Sequence, residues 1–183
     1  MRAVLRAPVR LSSNAFIPNG RAVTANSDNE PMAASTLTPA RRIAGECAAG
    51  RAAALIRGCG ALLDGRPDEV DDRLITVLGG PAAAHVLDGG EGGRSGHWPR
   101  VWAARGLLHA WDDRAPEAES ATDAIIAATA DPDWRVRELS AKVIARHRVG
   151  RALDAVAPLR DDPVPRVRTA AERAVIHLTA SGA

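Results

Sequence analysis

Apolar positions in the second half of the chain recur with the period of an α-helix. The clearest run begins at Val167 and continues at i+3, i+4, i+7, i+8 and i+11 with Ala170, Ala171, Ala174, Val175 and Leu178. A second run with the same spacing begins at Val136 and continues with Leu139, Ser140, Val143, Ile144 and His147. Residues at this spacing form one stripe along a helix. Both segments are therefore predicted to be amphipathic helices.

These helical segments form a repeat. Aligning Val101, Val136 and Val167 brings three segments into register, with periods of 35 and 31 residues. Shorter helical segments lie between them, at residues 117–130 and 150–160. Periods in the low thirties with paired amphipathic helices are typical of an α-solenoid, in which each repeat buries its apolar face against its neighbours. The predicted fold is all-α, a short solenoid of antiparallel helix pairs.

The chain upstream of the repeats is predicted to contain an N-terminal helical section, residues 38–90, that caps one end of the solenoid. A glycine-rich loop, residues 91–96, is expected to connect it flexibly to the repeats at 97–183. Residues 1–37 show neither helical nor strand periodicity and are rich in Ser, Asn, Pro and Thr, which predicts a disordered leader. Alternatively, Met32 is the true start and the residues before it are not translated.

Two longer helices are predicted in the N-terminal section. The first runs from Thr38, with Pro at its first position, to about Leu63. The second covers residues 67–78, with acidic residues in its first turn. Cys47 and Cys59 would then lie roughly 18 Å apart along one helix, too far for a disulfide. Two free cysteines and the lack of an apolar run of about 18 residues favour a cytoplasmic protein without a membrane span.

The two strong copies carry a resemblance to a known family. "DPDWRVRELSAKVIA" and "DPVPRVRTAAERAV" resemble the first helix of HEAT repeats of the PBS-lyase type, with Asp, then Val-Arg, then spaced Ala and aliphatic residues. "HWPRVWAARGLLHAWDD" followed by "DPDWRVRE" is similar to small actinobacterial HEAT-repeat proteins of unassigned function. The resemblance covers residues 97–180. It implies a HEAT-like solenoid.

The resemblance also implies a structural ladder of Asp131, Arg137, Asp162 and Arg168, pairing within or between neighbouring repeats at the turn between helices. Asp131 and Asp162 each precede a proline, so each is expected to cap its helix. An arginine one and a half turns later presents a planar fork that can bind a carboxylate with two hydrogen bonds. These arginines are therefore expected to hold the protein's own helices together.

The first copy departs from this pattern. Gly96 and Trp102 stand where the ladder requires Asp and Arg, so no pair is predicted there. All four tryptophans lie within 37 residues, in this copy and at the start of the next. A broad inward face is predicted from Trp98, Val101, Ala104, Leu108 and Trp111. Trp102 lies off the centre of that face.

Four residues are candidates for contact with a partner. Arg135 and Arg166 lie two residues before the ladder arginines and point about 200° away from them on a helix. An exposed Arg of this kind is usually solvated, but it can also bind a phosphate or an acidic group. Trp102 and Trp134 join them because Trp and Arg dominate interface energetics.

Charge and motifs narrow the function classes. The formal net charge of +2 is carried by residues 1–31, and the remainder holds 20 basic and 20 acidic residues. The body of the chain therefore disfavours a nucleic-acid partner, since such binding depends on a net basic face. A local basic patch stays open as an alternative, because residues 131–183 hold ten basic and seven acidic residues. The five histidines and two cysteines lack the spacing of metal ligands, and no motif implies a cofactor or a catalytic residue.

The predicted function is a non-catalytic HEAT-repeat module that binds or scaffolds an unidentified protein partner, an inference from the fold. Its binding face is expected around residues 117–129 and 151–160. The alternative is a nucleic-acid-binding protein or a HEAT-like DNA alkyl-base glycosylase. That alternative would use Arg135, Arg166 and the tryptophans, with a carboxylate from Trp111-Asp112-Asp113.

Overall fold

The regular structure of residues 37–180, the part of the chain described by the computed structural model, consists of α-helices and short 3₁₀ turns. The helices are α1 (Pro39–Ala48), α2 (Ala52–Leu63), α3 (Asp72–Gly79), α4 (Ala83–Leu87), α5 (His97–Ala110), α6 (Ala118–Ala127), α7 (Trp134–His147), α8 (Leu153–Val156) and α9 (Pro165–Thr179). Because these residues contain no strand, the all-α prediction is confirmed for them. The predicted leader, apart from Leu37, and residues 181–183 lie outside the described residues.

The first predicted helix is two helices. Thr38 caps α1 as expected, its Oγ1 accepting a hydrogen bond from the Arg41 backbone N–H at 3.4 Å. The helix ends at Ala48, and Gly50 follows with φ of +75°, a left-handed conformation that suits glycine. Cys47 therefore lies on α1 and Cys59 on α2, so the prediction that they share one helix is wrong; both are free.

The second predicted helix starts later than expected. Pro67–Glu69 form a 3₁₀ turn, Val70 is extended and buried, and α3 begins only at Asp72. Asp71 supplies the cap, its Oδ1 accepting from the Leu74 N–H at 2.7 Å. The extended backbone of Val70 separates the 3₁₀ turn from α3, and Asp71, the acidic residue that follows it, is the cap.

The glycine-rich loop is tied to the start of α3. Residues 90–95 form tight turns with positive φ at Glu91, Gly92 and Gly93. The Arg94 guanidinium donates to the backbone carbonyls of Pro67 and Val70 and to the Asp72 carboxylate. The segment predicted to be a flexible connection is therefore anchored by one arginine.

Helix α7 packs between α5 and α9, while α2 packs against both α5 and α6. Aliphatic side chains from all of these helices form one continuous core. The fully buried members include Leu55, Leu107, Ile125, Val136, Ile144 and Val156. Burying a side chain of this kind contributes about 1.5 to 3 kcal/mol, so the core rests on many small aliphatic contributions.

Glycine permits the closest approach between helices. A Cβ added at Gly106 of α5 would lie 2.6 Å from Sγ of Cys59 on α2 and 2.9 Å from Cδ2 of Leu78 on α3. Contacts this short are not tolerated by real side chains, so neither neighbouring helix leaves room for a larger residue. Helix α5 can therefore pack directly against α2 and α3.

Arg137 joins the start of α7 to the turn before α9. Its Nε and Nη2 donate to the two carboxylate oxygens of Asp162 at 2.7 and 3.2 Å. Its Nη1 donates to the backbone carbonyls of Asp131 and Pro132 at 2.8 and 3.0 Å. The side chains of Arg137 and Asp162 are only 14% and 4% exposed. The guanidinium also lowers the pKa of the Asp162 carboxyl, so the pair stays ionised.

The first copy forms a pair where none was predicted. Nε and Nη2 of Arg100 donate to the carboxylate of Asp131 at 2.7 and 3.4 Å, and Nη1 donates to the carbonyls of Ser95 and Gly96. Arg100, like Arg137, is the fourth residue of its helix, and so is Arg168. Equivalent positions are therefore counted from the first residue of each helix and not from the valines. The period from α5 to α7 is then 37 residues, and the alignment of Val101 with Val136 is displaced by two residues.

Arg168 shows the same bonds to its own turn. Its Nη1 donates to the carbonyls of Asp162 and Pro163 at 2.8 and 3.1 Å, but it pairs with no carboxylate in residues 37–180. The pairs therefore run from Arg100 to Asp131 and from Arg137 to Asp162, always to the following turn. They are here called the Arg–Asp ladder.

The prediction that Asp131 and Asp162 cap the helices is wrong. Each carboxylate instead accepts from the backbone N–H two residues later, at Asp133 and at Val164, both at 2.8 Å. The cap of α7 is Asp133, and α9 follows Val164 without a side-chain cap. The two aspartates form the turn before the helix, a role that short acidic side chains take because they can bond their own backbone.

A second charged contact links α1 and α3. The buried carboxylate of Glu46 accepts from Arg51 Nε at 2.6 Å and from Arg73 Nη2 at 2.7 and 2.8 Å. The bond from Arg51, followed by that from Arg73, outweighs the effect of burial and lowers the pKa of Glu46 to about 2. Glu46 therefore stabilises the N-terminal helices in its ionised form.

Substitution of Arg137 should lower stability more than substitution of Arg168, which has no carboxylate partner within residues 37–180. We expect Arg137→Ala to lower the free energy of unfolding by about 3 kcal/mol, because it leaves the buried Asp162 carboxylate without its fork. Arg168→Ala removes only hydrogen bonds to the turn carbonyls of Asp162 and Pro163 and should cost about 1 kcal/mol. Urea denaturation measures both values, and equal losses would contradict the assignment of the ladder.

Stability should also fall in acid through Glu46. Its folded pKa, about 2, is lower than the ordinary value of 4.5, so its stabilisation is complete above pH 4.5 and is lost as the pH falls toward 2. We expect the difference in unfolding free energy between wild type and Glu46→Gln to shrink over that interval. The measurement is urea denaturation at several pH values. A difference independent of pH would show that ionised Glu46 does not stabilise the fold.

Candidate functional site

A groove of about 710 Å³ opens along α7 and α9. Its walls carry five cationic side chains and one carboxylate, Glu138. The cationic residues are Lys142, Arg146, Arg148, Arg166 and Arg173. The groove is also lined by the apolar side chains of Leu108, Ala145 and Ala170. It is here called the basic groove, and its charge distinguishes it from the described chain as a whole, which has 20 residues of each sign.

Helical spacing explains how the sequence builds these walls. Glu138, Lys142 and Arg146 follow one another at intervals of four residues on α7, and residues four apart share a helix face. Arg166 and Arg173 lie seven apart on α9, again on one face. Packing of α9 against α7 brings the two rows together.

Arg148 reaches the groove by a turn. It follows α7 with φ of +52° and ψ of 49°, the left-handed conformation that commonly ends a helix. A non-glycine residue at positive φ is uncommon and carries some conformational cost. The turn directs the chain away from α7 and leaves the Arg148 side chain among the groove-lining residues.

Glu138 neutralises part of the positive charge. Its side chain is 9% exposed, and its Oε1 accepts from Lys142 Nζ at 2.8 Å and from Arg166 Nε at 3.2 Å. The side chains of Arg146, Arg148 and Arg173 form no hydrogen bond or ion pair with the rest of residues 37–180. The groove therefore has three cationic side chains whose charge nothing within the described chain pairs.

Three of the four predicted partner-binding residues lie together, next to this groove. The Arg135 guanidinium lies over the rings of Trp98 and Trp134, 5.5 and 4.6 Å from their centroids. Arg166 lies 5.4 Å from the Trp134 centroid and also lines the groove. These cation–π contacts run across the first turns of α5, α7 and α9.

Trp102 does not belong to this surface, and its prediction as a binding residue is wrong. The residue is 4% exposed, and its ring stacks on Trp98 at 6.3 Å between centroids. It fills the space above Gly79, where an added Cβ would lie 2.5 Å from Trp102 Cζ3. A glycine on α3 thus makes room for the ring. The spacing of apolar residues in α5 alone does not predict this burial.

The carboxylates suggested for a glycosylase lie in a turn. Trp111 Nε1 donates to Asp113 Oδ1 at 2.5 Å, and the ring stacks on His147 with centroids 5.3 Å apart. Asp112 Oδ1 accepts from the backbone N–H of Arg114 at 2.9 Å. Both aspartates are exposed, and neither lines the basic groove.

Two histidines bridge neighbouring helices. His147 Nε2 contacts the carbonyl of Leu108 at 3.2 Å, and His177 Nδ1 contacts the carbonyl of Ala145 at 3.2 Å. Burial is the main cause that lowers the pKa of His147, so its ring is held neutral to lower pH. Both contacts are explained by helix packing.

Clusters of metal ligands and membrane-spanning helices are both absent from residues 37–180. No group of three or more His, Cys, Asp or Glu side chains there could hold a metal ion. None of the helices in this part of the chain is both long and apolar enough to span a membrane.

The basic groove itself was missed at the level of sequence. The face expected from residues 117–129 and 151–160 contributes none of its lining. A signal was present in the row of Lys142 and Arg146, four residues apart. Its significance depends on a second row, Arg166 and Arg173, that belongs to another helix.

The two tryptophans should differ in their contribution to stability. We expect Trp102→Ala to lower the free energy of unfolding by about 3 to 5 kcal/mol, because it leaves a cavity in the core. Trp134→Ala removes a half-buried ring and its cation–π contacts, for an expected loss of about 1 kcal/mol. Urea denaturation of the two variants is the measurement. A Trp102→Ala loss no larger than that of Trp134→Ala would contradict the core assignment.

Comparison with known proteins does not assign a family. No protein-family model, no curated protein and no solved structure matches the chain. The HEAT-like resemblance therefore rests on the residues of the repeats themselves.

Proposed function

We propose that this chain is a non-catalytic HEAT-like α-solenoid that binds or scaffolds a protein partner. The observation that carries the proposal is the basic groove, an open surface along α7 and α9 with three cationic side chains that have no acidic partner within residues 37–180. Exposed arginine is among the residues that dominate the energy of protein interfaces. The two free cysteines suit a reducing compartment, and we place the protein in the cytoplasm.

The Arg–Asp ladder supports the solenoid part of the proposal. The same bidentate contact occurs between Arg100 and Asp131 and between Arg137 and Asp162. In each case it runs from the fourth residue of a helix to the turn before the second helix that follows, from α5 to α7 and from α7 to α9. In a solenoid each unit contacts its neighbours, and a repeated neighbour contact is the expected mark of such an array. We propose antiparallel helix pairs as the unit of this array, while the most extensive packing of α7 is against α5 and α9.

A nucleic-acid-binding protein, including a HEAT-like alkyl-base glycosylase, is the second candidate. The five cations of the groove favour it, because phosphate contacts provide most of the affinity of such proteins. The equal number of acidic and basic residues in the described chain disfavours it. Guanidinium groups also cover faces of Trp98 and Trp134 on which a base would have to stack.

Two measurements separate the candidates. Affinity purification with the intact chain from a nuclease-treated lysate should yield a stoichiometric protein partner, identified by mass spectrometry. Fluorescence anisotropy with undamaged and alkylated DNA duplexes should show no binding at low salt. Tight duplex binding with a steep dependence on salt would overturn the proposal, because displacement of counterions from phosphates has that signature.

A further inference from the structure

We propose that the basic groove binds an extended acidic segment of the partner protein, one that carries several carboxylates around an apolar residue. The inference rests on the proposed function and adds the chemistry of the ligand. The contacts to the carboxylates come from Arg146, Arg148 and Arg173. The apolar residue packs on the part of the groove formed by Leu108, Ala145 and Ala170.

The positive charge of the basic groove favours an acidic ligand. Arg146, Arg148 and Arg173 line one groove and have no acidic partner within residues 37–180. Three like charges on one surface repel one another, so an anionic ligand lowers their energy. A planar guanidinium binds a carboxylate through two parallel hydrogen bonds, which makes arginine well suited to carboxylate recognition.

A carboxylate already occupies one part of the groove. Glu138 lies between Lys142 and Arg166, at 2.8 and 3.2 Å from their nitrogens. This fixed negative charge repels any acidic group placed beside it. A peptide can present an uncharged residue at that position, whereas a nucleic-acid backbone carries a charge at every phosphate.

Part of the groove is apolar. Ala145 and Ala170 are each 6% exposed and Leu108 is half-buried, so hydrocarbon groups line this part of the groove. An apolar side chain gains free energy there by leaving water. A sugar–phosphate backbone has no equivalent group.

The test uses the full chain and defined probes. Fluorescence anisotropy measures binding of a labelled peptide with three glutamates on each side of a leucine, a glutamine analogue of that peptide, and a single-stranded oligothymidine. We expect the glutamate peptide to bind at low salt. We expect the glutamine analogue to bind at least tenfold more weakly, and the oligothymidine more weakly than the glutamate peptide.

A charge-matched pair of variants locates the site. Arg146→Gln, Arg148→Gln and Arg173→Gln together form the groove variant. Arg41→Gln, Arg114→Gln and Arg160→Gln form the control, which removes three exposed arginines that do not line the groove. We expect the groove variant to bind the glutamate peptide at least tenfold more weakly than wild type and the control to bind within twofold of it. Thermal denaturation confirms that both variants are folded.

Glu138→Gln provides a gain of binding that unfolding cannot produce. Removing its charge frees Lys142 and Arg166 for the ligand, so we expect the peptide to bind about threefold more tightly than to wild type. Unchanged or weaker binding to this variant would overturn the role given to Glu138 and with it the proposal.

Other outcomes would also overturn the proposal. These are equal binding by the groove and control variants, tighter binding of oligothymidine than of peptide, or self-association of the chain that the groove variant abolishes. The last would make a second copy the occupant. Failure of the proposed function is distinguishable, because it is read from affinity purification. A partner captured equally by wild type and the groove variant leaves the proposed function intact and removes the groove as its site.

Discussion

The bidentate contact between Arg137 and Asp162 joins the start of α7 to the turn before α9 and fixes their relative position. One edge of the guanidinium binds the carbonyls of its own turn, and the other binds the carboxylate of the following turn. Both side chains are largely buried, so each charge depends on the other. The contact between Arg100 and Asp131 repeats this arrangement two helices earlier, from α5 to the turn before α7. Together they set the relative position of the first turns of α5, α7 and the turn before α9.

The position of those helices determines what the remaining cations can do. All but one of the 24 Lys and Arg residues are arginine, yet their roles differ with their surroundings. Arg137 and Arg100 are paired and structural, and Arg135 stacks on tryptophan rings. Arg146, Arg148 and Arg173 are collected in the basic groove without acidic partners in the described chain. An arginine-rich motif is therefore a poor guide to binding until its partners are known.

The shortage of aromatic residues has a related consequence. With aromatics at 3% of the chain, most of the core is aliphatic, and close helix packing depends on small residues such as Gly106. The buried ring of Trp102, which is 4% exposed, requires a second glycine, Gly79, on another helix. Whether a tryptophan of this sequence context lies in the core or at the surface thus depends on a residue more than twenty positions away in the sequence.

The sequence by itself determined the helical class, the buried stripe of α7 and α9, and the residue types that can form the Arg–Asp ladder. Helical periodicity is a local property, so it can be read from consecutive residues. Only the tertiary structure decided that Arg100 completes the ladder, that Trp102 is core, and that the rows of Lys142 and Arg173 share a groove. The apolar period of α5 does not specify where the helix begins, and the other two features depend on side chains contributed by separate helices. Such features arise from packing, which places distant residues within contact distance and has no local signature.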